Sequence, residues 1–471
     1  MTFASKSFVF YFFPIFLICY FSFRNVRAKN IVFIVFSLLF YSASQPIFLV
    51  ILMASIIANF ALALAIDRAE GQRRYLLLAI GAAANLLVLA IFKYTAFLAE
   101  NLNFLVGFAH LTLPVPRIEL PLGISFYTFH AISYVVDVAK RRVPANRRFD
   151  EFMLYMSMFP QLVAGPIVRY STVADQLHER RVTLGRFSAG MRIFIIGLTW
   201  KLLIADEIAP IADIVFDRTA TPSLTEAWLG LYAYAMQIYF DFGGYSAIAV
   251  GLGVMVGFTL PRNFRIPYAA LSITAFWRRW HMSLSAWLRD YIYIPLGGSH
   301  ATALRTYANL WTVFLLCGLW HGARWTFVIW GAYHGLFLAI ERAGLVRLLA
   351  RLPREVAHLY TVLVVFLGWV WFRADGFNAA IRMFEGLFGL NGIGDLPAQL
   401  HMQLSPLSIA ALIVAGVLGI WKWPRWRWPP LLGNGPLAFA IGDTIFVVAL
   451  LVLCVIVAGS SSYSPFLYYR F

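Results

Sequence analysis

Long, nearly uncharged apolar runs constrain this chain more than any other feature of its sequence. Three examples are residues 31–66, 75–98 and 361–372. A helix needs about 20 apolar residues to cross the hydrocarbon core of a bilayer. Because backbone polar groups find no water in lipid, each spanning segment must satisfy them within itself. The runs therefore predict an all-α, polytopic membrane protein.

The low proportion of charged residues supports the same fold class. Charged residues make up 13% of the chain, whereas soluble domains contain about 25%. The net charge of +16 could indicate a nucleic-acid partner, but the arginines and lysines lie in short clusters between apolar runs. Such clusters are typical of the cytoplasmic loops of membrane proteins. The sequence therefore predicts contact with membrane lipid and none with nucleic acid.

The order of the basic clusters predicts the orientation. Clusters follow the first, third and fifth hydrophobic segments, whereas the intervening stretches 42–46 and 100–120 hold a single cation, Arg117. Because basic loops stay in the cytoplasm, we expect the N terminus outside. We expect about twelve hydrophobic segments in a single domain over residues 1–471, with the basic stretch 262–305 inside and the acidic stretch 206–226 as an outside loop. The cluster residues are Arg24, Arg27, Lys29, Arg68, Arg73, Arg74, Lys140, Arg141, Arg142, Arg147 and Arg148.

One apolar stretch, residues 152–170, is unsuited to a spanning helix. It contains Pro160, Gly165 and Pro166, and basic residues lie on both sides of it. Proline inside a helix removes a hydrogen bond and clashes with the preceding turn. We predict a re-entrant or in-plane segment, which is tolerated only where protein or a cavity lines it.

His321 is a polar residue that an apolar run does not need in order to fold. It lies sixteen residues after Arg305, which is about 24 Å along a helix, in the outer half of a hydrocarbon core about 30 Å thick. A tight turn with Gly322 and Arg324 is expected to follow. Polar residues buried in membranes are functional candidates. His321 could be a hydrogen-bonded packing residue or a general base near neutral pH.

The cytoplasmic stretch "FWRRWHMSLSAWLRDYIYIPLGG", residues 276–298, is both basic and aromatic. If it is helical, four rings fall on one side, as in a helix that lies at the membrane surface. Arg278, Arg279 and Arg289 could anchor to lipid headgroups or bind the phosphates of an acyl donor. His281 lies beside them, and we expect Asp290 to pair with an arginine. The four rings belong to Trp277, Trp280, Trp287 and Tyr291.

Three more polar residues lie in apolar surroundings. Asp241, in "QIYFDFGGYS", is followed by two glycines that permit close helix approach; it is more often a structural hydrogen-bonding residue. His334, in "WGAYHG", and His130, in "SFYTFHAISY", are more often packing residues. The chain has no Cys/His ligand spacing and no phosphate-binding Gly-Lys loop. We therefore expect no metal site, no nucleotide hydrolysis and no cofactor.

Seven motifs occur in order between residues 121 and 373. They are "PLGISFYTFHAISYVVDV", "FPQLVAGPIVR", "QIYFDFGGYS", "NFRIPY", "FWRRWHMSLSAWLRDYIYIPLGG", "GLWHGARWTFVIWGAYHG" and "WVWFRA". Together they resemble the membrane-bound O-acyltransferase (MBOAT) superfamily, and they look most like its bacterial alginate O-acetyltransferase branch. The resemblance implies a ring of helices around a central tunnel in the bacterial inner membrane.

The resemblance also implies a mechanism. The superfamily's near-invariant histidine matches His321, and its second recurrent histidine matches His281, so both are expected to be catalytic. Related enzymes take an acyl group from a cytoplasmic thioester, such as acetyl-CoA or a carrier-bound acyl group, to a hydroxyl outside. They commonly work with a periplasmic or extracellular acetyltransferase that handles the polysaccharide. Residues expected to bind the donor or to line the tunnel are Arg278, Arg279, Trp280, Asp241, Trp320 and His334.

Two departures from the alginate pattern leave the polymer open. Alginate-type members usually have an aspartate where Ala247 stands and a glutamine where His130 stands. "RWHMSLS" is also similar to the branch that transfers D-alanine to teichoic acid. Alginate, cellulose, peptidoglycan and teichoic acid therefore remain candidate acceptors. A secondary transporter or flippase, with Asp241 and His321 as proton relays, is the alternative from another class, but such proteins often have repeated halves with paired broken helices, a pairing that this sequence lacks.

Overall fold

The computed structural model describes residues 1–109, 111–300, 302–421, 437–460 and 466–467. Within these ranges the chain is helical or irregular, and none of it forms a strand. Six of the described helices are long and apolar enough to cross a membrane, and three shorter apolar helices accompany them. The chain is therefore an all-α, multi-pass membrane protein, as its apolar runs predict. The six spans are Pro46–Arg68, Gly71–Val106, Leu184–Phe216, Leu224–Met255, Arg354–Arg373 and Gly442–Gly459.

The longer α-helices begin and end close to the predicted hydrophobic segments. Three shorter helices of the C-terminal part, α16, α18 and α19 of the list below, were not expected from the sequence. In chain order the α-helices are α1 (Phe13–Phe21), α2 (Val26–Ser42), α3 (Leu49–Arg68), α4 (Gly71–Val106), α5 (Ile124–Ala139), α6 (Phe149–Ser157), α7 (Phe159–Leu162), α8 (Tyr170–His178), α9 (Leu184–Thr199), α10 (Asp206–Phe216), α11 (Leu224–Met255), α12 (Ile273–Trp277), α13 (Met282–Leu288), α14 (Ala303–His321), α15 (Trp325–Ile340), α16 (Val346–Leu349), α17 (Arg354–Arg373), α18 (Phe377–Leu387), α19 (Ala398–Gln403), α20 (Pro406–Ile420) and α21 (Leu437–Ser460).

The helix α16 is a single turn of 4 residues that lies in the sequence between α15 and α17. The longer helix α18 was also not expected from the hydropathy pattern, because only one of its faces is apolar and buried. Its buried residues are Ala380, Met383, Gly386 and Leu387. Their spacing of three and four residues is that of one side of a helix.

One predicted loop is wrong. Residues 206–216 of the acidic stretch 206–226 form the helix α10, and only residues 217–223 are irregular. A π-helical segment, Trp200–Ala205, joins α9 to α10, so residues 184–216 form one continuous helical stretch. Asp206 and Glu207 suggested a loop, yet they lie in the first turn of α10, where the helix dipole favours acidic side chains.

The described residues group into two compact units. The first unit contains residues 1–194 and 248–261, and the second contains residues 195–247 and 262–471. The expectation of a single domain over residues 1–471 stays a prediction, as do the central tunnel and the depth of each residue in the membrane.

The core of the first unit is built around Phe159, the first residue of the short helix α7. Six phenylalanine rings lie with their centroids 5.2 to 6.2 Å from that of Phe159. The Phe159 N–H donates to the Ser37 hydroxyl at 3.1 Å. Stacked and edge-on aromatic pairs stabilise such a core beyond their buried area. The six rings belong to Phe3, Phe8, Phe12, Phe16, Phe33 and Phe40.

The stretch 152–170 is broken, as its prolines and glycine predict. Its helical parts are the end of α6, the four-residue α7 and the first residue of α8. Side chains satisfy part of the irregular backbone: Val168 N–H donates to His130 Nε2 at 3.1 Å, and Tyr155 Oη donates to the Val168 carbonyl at 3.0 Å. This is how non-helical backbone is tolerated inside a membrane protein.

The second unit contains the close helix approach that the glycines after Asp241 predict. A Cβ atom at Gly244 would lie 2.8 Å from the Gly197 carbonyl oxygen, and one at Gly243 would lie 3.1 Å from the Trp200 ring. Both distances leave no room for a larger residue. Glycine at these two positions of α11 therefore lets the backbone of residues 197–200 pack directly against it.

The basic aromatic stretch is not the amphipathic surface helix that its spacing suggested. Residues 278–281 separate α12 from α13, and His281 has φ 42°, in the left-handed region. Trp277, Trp280 and Trp287 are buried. The expectation of a continuous interfacial helix is therefore wrong, because these rings pack into the protein and the chain turns at His281 to place them there.

Candidate active site

The helices α14 and α15 form a tight antiparallel pair that positions His321. A Cβ atom at Gly331 would lie 3.4 Å from the Cα atom of Gly318, so the two backbones approach closely where these glycines meet. The helix α14 ends at His321, and α15 begins at Trp325. The turn of residues 322–324 between them agrees with the sequence. His321 therefore lies on the last turn of a rigid element.

The hydrogen bond of His321 defines its tautomer. His321 Nδ1 lies 2.7 Å from the carbonyl oxygen of Cys317, one turn earlier in the same helix. A carbonyl oxygen can only accept, so Nδ1 carries the proton and donates it. In the neutral ring the lone pair is then on Nε2. This is the arrangement required of an imidazole that accepts a proton through Nε2.

Aromatic rings surround His321, which is 5% exposed. The ring centroids of Trp320 and Trp330 both lie 4.9 Å from that of His321, and that of Phe372 lies 5.3 Å away. Each of these rings meets the imidazole edge to face. Such an enclosure excludes bulk water, which strengthens any electrostatic interaction that the imidazole makes.

The second predicted catalytic residue, His281, lies close to the first. Its ring centroid is 6.5 Å from that of His321 and 6.0 Å from that of Trp320, and Phe242 contacts its other side at 4.8 Å. Burial lowers the pKa of the His281 imidazole well below its usual range, and the nearby His321 lowers it further. His281 is therefore neutral at physiological pH. The structure thus brings together His321, His281 and Trp320, a proximity that the sequence analysis did not predict.

Asn263 holds the turn that carries His281. The Asn263 carbonyl accepts from Met282 N–H at 2.9 Å, and its side-chain oxygen accepts from Ser283 N–H at 3.2 Å. These two bonds satisfy the first amide groups of α13, which begins directly after His281. The left-handed conformation of His281 is thus over-determined by its neighbours, as strained residues at functional sites often are.

His334 is separated from His321 by the ring of Trp330. The Trp330 ring contacts both histidines, at 4.9 Å from His321 and 5.2 Å from His334. Both ring nitrogens of His334 are buried, and neither they nor the indole nitrogens of Trp277 and Trp330 have a hydrogen-bond partner among the described residues. Buried polar groups usually have partners. Three side chains of this small region can therefore still bind water or a polar group of a substrate.

The structure gives Asp241 a partner that the sequence analysis missed. Lys201 Nζ lies 2.7 Å from Asp241 Oδ1 and 2.6 Å from Asp206 Oδ1. Asp241 Oδ2 also accepts from Leu467 N–H at 2.9 Å. Asp241 is thus part of a buried ion cluster. A lysine inside the apolar run 187–204 was the sequence signal that could have identified it.

The remaining candidates lie at the surface or in the aromatic core. Arg278 is exposed and Arg279 is half-buried. Arg265 N–H donates to the Arg279 carbonyl at 3.0 Å, so Arg265 and Arg279 are close together. Burial lowers the pKa of Arg279, and the charge of Arg265 lowers it further. Trp280 packs in the core, with its ring centroid 4.8 Å from that of Trp369. As expected, Asp290 pairs with an arginine, Arg289, at 2.6 Å.

Three side chains near His321 were not singled out from the sequence. Trp330 and Phe372 contact its ring directly, and Phe264 packs against the Phe242 ring that touches His281, at 5.0 Å. They lie in "WTFVIWGAYHG", "WVWFRA" and "NFRIPY". Aromatic residues in apolar runs usually form a core, so no property of the sequence alone distinguishes these three.

Comparison with known proteins gives this geometry a context. A model of the membrane-bound O-acyltransferase family matches residues 148–372, a range that includes His281, His321 and Asp241. A probable alginate O-acetylase of Azotobacter vinelandii is 39% identical, and the alignment covers 100% of both chains. One of Pseudomonas putida is also 39% identical, again over 100% of both chains.

A relative with a different named polymer is nearly as similar. A peptidoglycan O-acetyltransferase of Helicobacter pylori is 37% identical over 83% of this chain and 81% of its own length. All three relatives are named for the transfer of acetyl groups to oxygen, and their matches extend well beyond the region around the two histidines.

Proposed function

Since this chain belongs to the membrane-bound O-acyltransferase family and is therefore an O-acyltransferase, we propose that it acetylates an exported polysaccharide. The acetyl group would come from a thioester at the cytoplasmic face of the bacterial inner membrane and reach a hydroxyl at the outer face. Alginate is the first candidate acceptor, because relatives named for it align over the full length of both chains. Peptidoglycan is the second.

The observation that carries the proposal is the hydrogen bond from His321 Nδ1 to the Cys317 carbonyl, at 2.7 Å. It leaves Nε2 as the basic nitrogen of a buried imidazole. General-base catalysis needs such a nitrogen within hydrogen-bond reach of the hydroxyl that it activates. His321 is thus proposed to be the catalytic base, and the rings around it would exclude water that could hydrolyse the thioester.

Activation of the hydroxyl and transfer of the acetyl group are proposed to occur in one step. His321 Nε2 takes the proton of the acceptor hydroxyl while the hydroxyl oxygen attacks the thioester carbonyl carbon. A carbon–oxygen bond forms, the carbon–sulfur bond breaks, and the thiolate takes the proton back from the imidazolium. The acceptor hydroxyl belongs either to the polysaccharide or to a separate exported acetyltransferase that passes the acetyl group on.

His281 is proposed to act beside His321 in the same step. Its ring lies 6.5 Å away, which is a distance that one bound water or one substrate group can bridge. Since burial keeps this imidazole neutral, it can accept or donate a hydrogen bond without adding charge next to the imidazolium that forms on His321. A charged neighbour would oppose that imidazolium.

The donor is proposed to bind where cationic side chains lack carboxylate partners. No ion pair joins Arg265, Arg278 or Arg279 to an acidic residue in the described ranges. Arginine binds phosphate oxygens through two parallel hydrogen bonds. The phosphates of acetyl-CoA, or of the pantetheine arm of a carrier protein, fit these three side chains. This surface would then lie in the cytoplasm and the N terminus outside.

Cells that make a non-acetylated alginate provide the test. The chain is expressed there with an exported acetyltransferase of a related system, and ester-linked acetate on the purified polymer is quantified by mass spectrometry. The wild type should restore acetylation, and the variant His321→Gln should not. His130→Gln is the matched control. Acetylation at the wild-type level by a well-expressed His321→Gln variant would falsify the proposed base.

The same cells distinguish the alternatives. Acetate on peptidoglycan but not on alginate would identify peptidoglycan as the acceptor. Ester-linked D-alanine in place of acetate would identify D-alanine as the transferred group. Arg278→Gln with Arg279→Gln should raise the acetyl-CoA concentration needed for half-maximal activity in membrane vesicles. An unchanged dependence on acetyl-CoA would indicate that these two arginines anchor the chain to lipid headgroups instead.

A further inference from the structure

Three cationic side chains of the first unit lie around one short loop, residues 256–259. Arg180 Nε donates to the Val256 carbonyl at 3.2 Å and to Tyr20 Oη at 2.9 Å. Its guanidinium also lies 4.5 Å from the centroid of the Phe258 ring. These contacts hold the guanidinium in place through neutral groups alone, so its positive charge is not compensated by them.

The second cation, Arg186, is fixed at the same loop. Its Nη2 donates to the Gly257 carbonyl at 3.3 Å and to the Thr259 hydroxyl at 3.1 Å. Gly257 has φ +94°, and a Cβ atom there would lie 3.2 Å from the Arg180 side chain. Glycine thus allows the loop to turn between the two arginines and to present its carbonyl groups to both.

The third cation, Lys29, shares an aromatic ring with Arg180. Lys29 Nζ lies 5.3 Å from the centroid of the Tyr20 ring, and the Arg180 guanidinium carbon lies 5.7 Å from it. Burial lowers the pKa of Lys29, and the charge of Arg180 lowers it further. Two positive charges therefore lie near enough to repel each other, which destabilises the protein unless an anion binds between them.

No carboxylate of the described ranges pairs with Lys29, Arg180 or Arg186. Glu179, the nearest acid in sequence, lies 3.9 Å from Arg181 instead. In addition, Arg180 Nη2 is buried and has no acceptor among the described residues. A buried guanidinium nitrogen without an acceptor is costly, because a charged donor loses its hydration without replacement.

We propose that Lys29, Arg180 and Arg186 form a binding site for a phosphate group. A phosphate supplies what these side chains lack, namely negative charge and several oxygen acceptors, two of which can accept parallel hydrogen bonds from a planar guanidinium. The site is separate from the proposed reaction and does not depend on it. The exposed rings of Phe21 and Phe23, 40% and 46% exposed, lie close by in the sequence and are suited to the apolar part of a phospholipid.

Two sources could supply the phosphate, the headgroup of an anionic phospholipid or a soluble phosphate compound. The purified full-length chain is delipidated in a neutral maltoside detergent. Binding is then measured by native mass spectrometry with phosphatidylglycerol in mixed micelles and, separately, with inorganic pyrophosphate. Charge-assisted hydrogen bonds make the expected change large: Arg180→Gln should weaken binding about tenfold or more.

A matched control is next to the site. Arg181 has the same charge, but its side chain is 88% exposed, so Arg181→Gln should leave binding unchanged. Lys29→Gln is the second test variant, since none of the hydrogen bonds described for this loop involves Lys29 and its loss should not disturb the fold. Lys29→Gln should weaken the binding of the phosphate compound, as Arg180→Gln should.

Each outcome decides the proposal. Binding of phosphatidylglycerol that both test variants weaken supports a lipid headgroup. Binding of pyrophosphate alone, with the same response to the variants, supports a soluble phosphate. Binding that responds equally to Arg181→Gln and Arg180→Gln, or that neither test variant weakens, overturns the site, as does a chain that binds neither compound.

Discussion

Two buried histidines in different units of the chain show how the same side chain can serve the fold or the chemistry. His130 is fully buried in the first unit and accepts the Val168 N–H through Nε2, at 3.1 Å. His321 is buried in the second unit and donates through Nδ1 to the Cys317 carbonyl, at 2.7 Å. In the first case the lone pair is used by the backbone. In His321 the lone pair is on Nε2, because Nδ1 carries the proton that the Cys317 carbonyl accepts.

The difference teaches that burial alone does not identify a functional histidine. A ring nitrogen that accepts from an amide can no longer act as a base, whereas a ring that donates to a carbonyl retains its basic nitrogen. The same contrast extends to other buried polar groups of the two units. Tyr155 of the first unit also satisfies irregular backbone, at the Val168 carbonyl, whereas Lys201 of the second unit pairs with the carboxylates of Asp206 and Asp241.

The largest expected effect is the loss of acyl transfer when His321 is replaced. His321→Gln keeps a hydrogen bond but cannot accept a proton, so acyl transfer should fall by about 100-fold or more. His130→Gln should leave transfer within about twofold of the wild type, since glutamine keeps an acceptor for Val168 N–H. The initial rate of acetyl transfer in membrane vesicles measures both. Equal losses in the two variants would contradict the distinction.

The next effect concerns the buried charges of the second unit. Lys201→Met leaves Asp206 and Asp241 without their cation, and removing one partner of a buried pair costs about 3–5 kcal/mol. The midpoint of unfolding in an SDS titration, followed by tryptophan fluorescence, should fall accordingly. The double variant Lys201→Met, Asp241→Asn should recover part of the loss. A single variant as stable as the wild type would mean that the ion pair does not stabilise the fold.

A smaller effect on stability is expected when His130 is replaced. His130→Ala leaves Val168 N–H buried without an acceptor, which costs about 1–3 kcal/mol. The midpoint of unfolding in SDS should therefore fall for His130→Ala and return towards the wild-type value for His130→Gln. The specific activity of the folded fraction should not change in either variant. A loss of activity in folded His130→Gln would assign His130 a role in the reaction.

The smallest effect is a pH dependence from His281. Burial lowers its pKa in the folded chain below the ordinary value of 6.5, so the unfolded chain binds the proton more readily. Stability from the neutral ring is fully present above pH 6.5 and is lost as the pH falls towards the folded-state pKa. One proton can change the free energy of unfolding by at most about 1.4 kcal/mol per pH unit. His281→Asn, which tolerates the left-handed backbone, should reduce the loss between about pH 6.5 and pH 5 in unfolding midpoints measured across this range.

Much of the fold and part of the site could be predicted from the sequence. Hydropathy identified the helical segments, and the prolines and glycine of residues 152–170 predicted the break there, because both signals are local. His281, His321 and Trp320 were each singled out from the sequence as candidates. Their proximity was not predicted, because it depends on the packing of segments that are forty residues apart in the chain.

What could not be predicted depends on contacts between distant parts of the chain. Lys201 and Asp241 are forty residues apart in sequence, and only their helices' packing through Gly244 joins them. The stretch 276–298 was misinterpreted for a similar reason: the spacing of its tryptophans fits a surface helix, but packing against rings such as Trp369 decides their burial. The left-handed conformation of His281 has no sequence signal, since it is imposed by Asn263.

The bond between His321 and Cys317 has a consequence for how this site tolerates change. The acceptor is a main-chain atom, so every amino acid at position 317 provides it. Mutagenesis at position 317 can therefore vary the size and polarity of the space beside the imidazole without altering which nitrogen holds the proton. The protonation pattern would transfer to any scaffold whose helix ends on a histidine with its ring folded back over the preceding turn.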